Sequence, residues 1–166
     1  AGTVAASAWT DLPLGVHTHN DIDMAEANAV VGIEAGARQI HGTVNGLGER
    51  CGNANLLTLV PTLQLKLGHG CVRPEQLQQT AVLARYVAEL ANVTLDPQMP
   101  FAGHSAFAHK AGYHGSGMSK HASAYQHIDP ALVGNNSRIV ISELAGRSSV
   151  MAKADALGLR HVTDAR

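Results

Sequence analysis

His17 and His19, one residue apart in Gly15-Val16-His17-Thr18-His19-Asn20-Asp21, are the first residues whose types and spacing could do chemistry. Leu14 to His19 reads as a short strand, and side chains at i and i+2 of a strand share a face. Two imidazoles side by side at the C-terminal end of a parallel strand suit a divalent metal. They serve equally well as hydrogen-bonded core histidines. A second candidate is the Gly-rich loop Asn45-Gly46-Leu47-Gly48-Glu49-Arg50-Cys51-Gly52-Asn53. Its glycines allow backbone to approach a ligand closely, and Glu49, Arg50 and Asn53 are the polar groups it can present. Asn53 also sits where a helix N-cap belongs, which by itself would account for it. The Gly-x-Gly portion is not a dinucleotide fingerprint, because the third glycine is missing at the required spacing.

His104, His109, His114, His121 and His127 cluster further on. Their spacings of five, five, seven and six are not those of a compact zinc ligand set. Lys110 and Lys120 among them could meet an anionic substrate. A solvated face is the plainer account of His104, His121 and His127. Cys51 and Cys71 lack a CxxC partner, and free cysteines are usually small, buried and inert.

These groups need elements to position them. Ala1 to Trp9 looks like the tail of an Ala-rich helix. After the Leu14–His19 strand, Asn20 or Asp21 can cap a helix whose periodic positions are Ile22, Ala25, Ala29, Val30 and Ile33. Gly36 is its C′ residue. Arg38 to Val44 is a second strand, so the Gly-rich loop lies at the same rim as the two histidines. Ala54 to Leu67 predicts an apolar helix with Pro61 inside it, which should kink or break it; Gly68-His69-Gly70 ends it. Pro74 starts another helix, with Leu77, Ala81, Ala84, Val87 or Ala88, and Ala91 as its buried stripe. Strand, helix, strand, helix with short loops is the grammar of a parallel α/β sheet. Residues 93–103 hold Pro97 and Pro100 and read as a linker. Arg138 to Leu144 looks like a strand, and Arg147 to Leu157 a helix ended by Gly158.

Bulk properties narrow the function. The chain has 166 residues, with 12 Lys+Arg against 13 Asp+Glu and 10 histidines. That charge balance leaves no basic run to displace counterions, which excludes a general nucleic-acid binder. No stretch of eighteen apolar residues occurs, so no transmembrane helix is expected, and no signal peptide is visible. Two cysteines do not make a secreted disulfide framework, so reduced thiols and a cytoplasmic location are expected. Twenty-six residues are alanine, which points to closely packed small-residue helices.

Taken together, several strings are far more specific than any one alone. The His17-Thr18-His19-Asn20-Asp21 segment, Gly42-Thr43-Val44 with the whole Asn45–Asn53 loop, and Ser105-Ala106-Phe107-Ala108-His109-Lys110-Ala111-Gly112-Tyr113-His114 resemble the isopropylmalate, homocitrate and citramalate synthase family. Tyr125-Gln126-His127-Ile128-Asp129-Pro130 and Ser142-Glu143-Leu144-Ala145-Gly146-Arg147-Ser148 extend the resemblance over almost the whole chain. Phe-Ala-His-Lys-Ala-Gly and Tyr-Gln-His-Ile-Asp-Pro are most similar to the citramalate branch, with isopropylmalate synthase the nearest rival. A hydroxymethylglutaryl-CoA lyase-like enzyme is a further alternative, but that branch carries Gly-Leu-Gly-Gly-Cys-Pro where this chain places Glu49-Arg50 before Cys51.

The resemblance implies the C-terminal portion of a TIM (β/α)8 barrel, its last two strand–helix units over residues 1–92. A linker at 93–103 and a small α+β subdomain at 104–166 would follow. It implies a metal-dependent condensation of acetyl-CoA with a 2-oxo acid, pyruvate in the citramalate branch, within branched-chain amino-acid biosynthesis. His17 and His19 match the family's metal-binding His-x-His, and Asn53 the asparagine near that metal, which could be Mg, Mn or Zn. His114 matches the catalytic histidine and Tyr125 a tyrosine that completes the site. A homodimer is implied, with the small domain reaching over the neighbouring barrel. Tyr113, Asp23 and residues 115–119 differ from the family pattern. The family's opening Asp-Thr-Thr-Leu-Arg-Asp-Gly motif, source of a third metal ligand and an oxo-acid arginine, is not in the chain, nor is its mid-barrel glutamate. The chain is therefore expected to be the C-terminal part of a longer enzyme and inactive alone.

Overall fold

The computed structural model describes residues 11–110 and 126–140, with residues 151, 154 and 157–159. Its first unit runs β1 (Gly15–His17), α1 (Ala25–Glu34), β2 (Gln39–His41), a 3-10 turn (Val44–Gly46) and α2 (Leu56–Leu65). β1 and β2 are parallel and in register, Gly15 against Gln39, Val16 against Ile40 and His17 against His41. Parallel neighbours need a crossover, and α1 supplies it. Then come α3 (Pro74–Leu77), α4 (Thr80–Leu90), β3 (Ala108–Lys110), a second 3-10 turn (Pro130–Val133) and β4 (Arg138–Val140). β3 and β4 pair in parallel as a separate two-stranded sheet.

Alanine lets these layers approach. Ala25 and Ala29 on α1 pack with Ala54 and Leu59, with Val30 and Ile40 against them. Leu57, Ala84, Met99 and Ala102 form a second cluster, and Leu77, Phe101, Phe107 and Val133 a third. Met99, Phe101 and Ala102, within the stretch that composition marks as a linker, are thus core residues.

Several local expectations change. Helix α1 starts at Ala25, and Ile22 lies before it with 75% of its surface exposed. Asn20, not Asp21, serves its first turn: the Asn20 Oδ1 accepts from the Ala25 N–H at 3.0 Å. Gly36 does close α1, at φ 99°, with its N–H on the Ile33 carbonyl and that of Ala37 on the Gly32 carbonyl. Helix α2 runs unbroken through the buried Pro61. Proline deletes one N–H, and the helix keeps the rest of its ladder. The single helix expected after Pro74 divides at Gln78-Gln79 into α3 and α4. The buried stripe Leu77, Ala81, Ala84 and Ala88 holds across that division, while Ala91 is exposed. Most of the expected 147–157 helix lies outside the described residues.

His127 is exposed, as expected of a solvated face, and its ring also has neighbours. Its ring stacks on Phe107, with centroids 5.8 Å apart and planes 8° from parallel, and tilts against Phe101 at 5.3 Å. Its carbonyl accepts from Lys66 Nζ. Loss of hydration, with the Lys66 charge second, pushes the imidazole below its ordinary pKa. The folded state thus disfavours the proton. Stability is full above the unfolded value of about 6.5 and falls as pH drops through the folded one. Thermal melting of the complete protein from pH 8 to 5 is expected to show this loss, and His127→Phe to flatten that part of the profile. An identical profile in the variant would remove His127 as its cause.

Candidate active site

The strand period does what the His-x-His spacing requires. His17 Nε2 and His19 Nε2 stand 3.4 Å apart at the C-terminal end of β1. Their rings meet edge-on, centroids 5.1 Å apart and planes at 72°. Two imidazole nitrogens held at about 2.0–2.1 Å by one tetrahedral ion are about 3.4 Å apart. The His19 Nδ1 is buried and has no hydrogen-bond partner among the described residues. The Nε2 pair stands at the spacing that two imidazole ligands of one divalent cation take, and among the described residues the only other side-chain hydrogen-bond contact to it is the Asn53 amide at His17 Nε2. Among the described residues no three His, Cys, Asp or Glu side chains converge as a full ligand set.

Asn53 completes the constellation. Its Nδ2 lies 3.1 Å from His17 Nε2 and 3.4 Å from the Thr18 carbonyl. The residue is only 6% exposed. It does not cap α2: Asn55 is the N-cap, its Oδ1 accepting from the Leu57 N–H at 3.0 Å. The capping account therefore belongs to Asn55, and Asn53 is left for the histidines. The backbone between them is stitched to both strand ends. Asn53 bridges antiparallel to His19, and Asn55 bridges parallel to Thr43. Asn20 N–H donates to the Gly52 carbonyl at 2.9 Å, and Ala54 N–H to the Thr18 carbonyl at 3.2 Å.

The loop glycines are required by this closeness. A Cβ on Gly48 would stand 1.8 Å from Asn53 Oδ1, and one on Gly52 2.1 Å from the Gly46 carbonyl oxygen. Gly52 also holds φ 92°, which favours glycine. Asn45, in the left-handed region at φ 59°, docks the loop on α4 by donating from Nδ2 to the Ala84 carbonyl at 2.8 Å.

Two neighbours were not legible as site residues. His41, opposite His17 on β2, puts its ring edge-on to His17 at 5.9 Å. Asp21 binds Arg50 through both oxygens, Nε–Oδ1 at 2.9 Å and Nη2–Oδ2 at 3.0 Å. Arg50 also approaches the adjacent Glu49, more loosely, at 3.7 Å. The Arg50 bond holds the Asp21 carboxyl below its usual range, and Asp21 raises Arg50 in turn. A cleft of about 540 Å3, which Asn53 reaches, is lined also by Asn20, Glu26, Asn55, Leu95 and Met99. His114 and Tyr125 lie outside the described residues. His109 is half-buried, and His104 is exposed. Cys51 and Cys71 are both free and exposed rather than buried. No described helix is long and apolar enough to cross a membrane.

Residues 3–87 match the HMGL-like family model, and residues 101–166 the model described as homocitrate synthase post-HMGL domain-like. The chain belongs to the HMGL-like family. It is 50% identical over 151 residues to the (R)-citramalate synthase of Aquifex aeolicus, covering 91% of this chain and 29% of that protein. It is 51% identical over 146 residues to the (R)-citramalate synthase of Synechocystis sp., covering 88% and 27%. A probable 2-isopropylmalate synthase of Methanopyrus kandleri is 41% identical over 149 residues, covering 90% and 30%. The chain thus spans 27–30% of the length of these relatives.

Proposed function

We propose that the complete protein containing this chain condenses acetyl-CoA with pyruvate to citramalate and hydrolyses the thioester. In this reading residues 1–92 close a TIM barrel, 93–103 link, and 104–166 form the subdomain that reaches a neighbouring protomer of a cytoplasmic homodimer. His17 and His19 hold a divalent ion, Mg, Mn or Zn, with Asn53 beside it. The observation that carries the reading is the 3.4 Å spacing of the two Nε2 atoms with Asn53 3.1 Å from one of them. The third ligand comes from the part of the relatives that this chain does not match.

The ion supplies Lewis-acid polarisation of the keto group. His114 takes the proton from the acetyl methyl group, the role an imidazole base fills in general acid–base catalysis. The carbon so exposed bonds to the keto carbon, and the keto oxygen gains a proton to become the tertiary alcohol. Water then cleaves the thioester and releases the CoA thiol. Tyr125 orients His114 or donates to the developing oxyanion. Thiol release from acetyl-CoA, followed with pyruvate, 2-oxobutyrate, 2-oxoisovalerate and 2-oxoglutarate in turn, tests this. Pyruvate is expected to give the highest kcat/KM. Preference for 2-oxoisovalerate would favour isopropylmalate synthesis, the reading supported by the Methanopyrus relative; no turnover with any of them would defeat the condensation.

A further inference from the structure

The Arg50–Asp21 pair asks for an explanation of its own. Arg50 sits in the left-handed region at φ 56°, two residues before a glycine that holds φ 92°. A residue with a Cβ pays for that conformation and glycine does not. The chain nonetheless places an arginine there, in a loop that uses glycine freely. Its side chain is the reason available. The guanidinium closes a two-bond fork on Asp21, which stands two residues after His19. Both partners are about half exposed, 55% and 47%, so the pair adds little to overall stability. What it adds is geometry: a planar bidentate contact fixes orientation as a single point charge cannot. The fork ties the crest of the loop to the segment leaving β1, on the other side of the Asn53–His19 bridge. The loop is then pinned at Arg50, Gly52 and Asn53, and the Asn53 amide is held against His17.

We infer that Arg50 and Asp21 are positioning residues that trade local backbone strain for the placement of Asn53 against the His17–His19 pair. This rests on the metal reading proposed above. The test uses the complete protein, stripped of metal and titrated with Mn2+ by calorimetry, with melting temperature measured on the same samples without metal. Arg50→Gly relieves the left-handed strain and removes the fork. It is expected to melt within about 4 °C of the parent and yet bind Mn2+ about 10-fold or more weakly, the size of a supporting-residue effect. Arg50→Lys, which keeps the charge and loses the fork, should bind less tightly than the parent. Asp21→Asn should weaken Mn2+ binding as Arg50→Gly does. A purely structural arginine would instead lower melting temperature and affinity together, and that result in Arg50→Gly would overturn the inference. So would parental Mn2+ affinity in Arg50→Gly. His17→Ala is the control. If it retains Mn2+, the metal reading fails; if it loses Mn2+ while Arg50→Gly does not, only the positioning role fails.

Discussion

His17→Ala in the complete protein is expected to weaken Mn2+ binding by at least about 100-fold, because even partners that only orient a ligand contribute 10–100-fold. His17 is the residue on which the geometry converges. It touches His19 at 5.1 Å and His41 at 5.9 Å between ring centroids, and Asn53 at 3.1 Å. Removing it leaves His19 as the sole imidazole ligand of the pair. The Asn53 amide also loses the nearer of its two partners in a position only 6% exposed, keeping the Thr18 carbonyl at 3.4 Å. Condensation should fall with the metal, while the helical content is kept, since His17 itself is exposed at the strand end. Unchanged metal stoichiometry and affinity would sink the assignment of the pair.

His114→Ala is expected to separate metal binding from chemistry. General acid–base groups contribute about 10²–10⁴-fold in rate, so kcat should fall by that order while Mn2+ affinity stays parental. Loss of metal in this variant would count against the proton-transfer role. An unchanged kcat would end it.

The approach of His17 to His19 is legible in the sequence, and the reason is range. His17 and His19 are two residues apart on a strand, so the period alone brings their nitrogens together. The Ala25–Ala29 and Ala81–Ala84–Ala88 faces follow the helical period in the same way. What could not be read depends on register or on long closure. His41 meets His17 only because β1 and β2 pair with those two residues opposite each other. Arg50 and Asp21 are 29 residues apart, and nothing local assigns the arginine to Asp21 rather than to adjacent Glu49. The capping role passed from Asn53 to Asn55 because α2 begins two residues later than its apolar run. Ile22 is apolar at helical spacing, yet three exposed residues between Asn20 and Met24 form the turn into α1 before any helix exists.

The stitching of Asn53 and Asn55 to opposite strand ends constrains the number of residues as well as their kinds. Surface loops usually tolerate insertion and deletion. Here alternate residues have opposite duties: Asn53 faces the histidines, and Asn55 caps α2 and takes the Glu26 carboxylate through its N–H at 2.8 Å. One residue more or fewer between Arg50 and Leu56 would exchange those duties. The amide that meets His17 and the amide that starts the helix would then each point the wrong way. The loop behaves as a ruler, and its variation through time should run to substitution at fixed length.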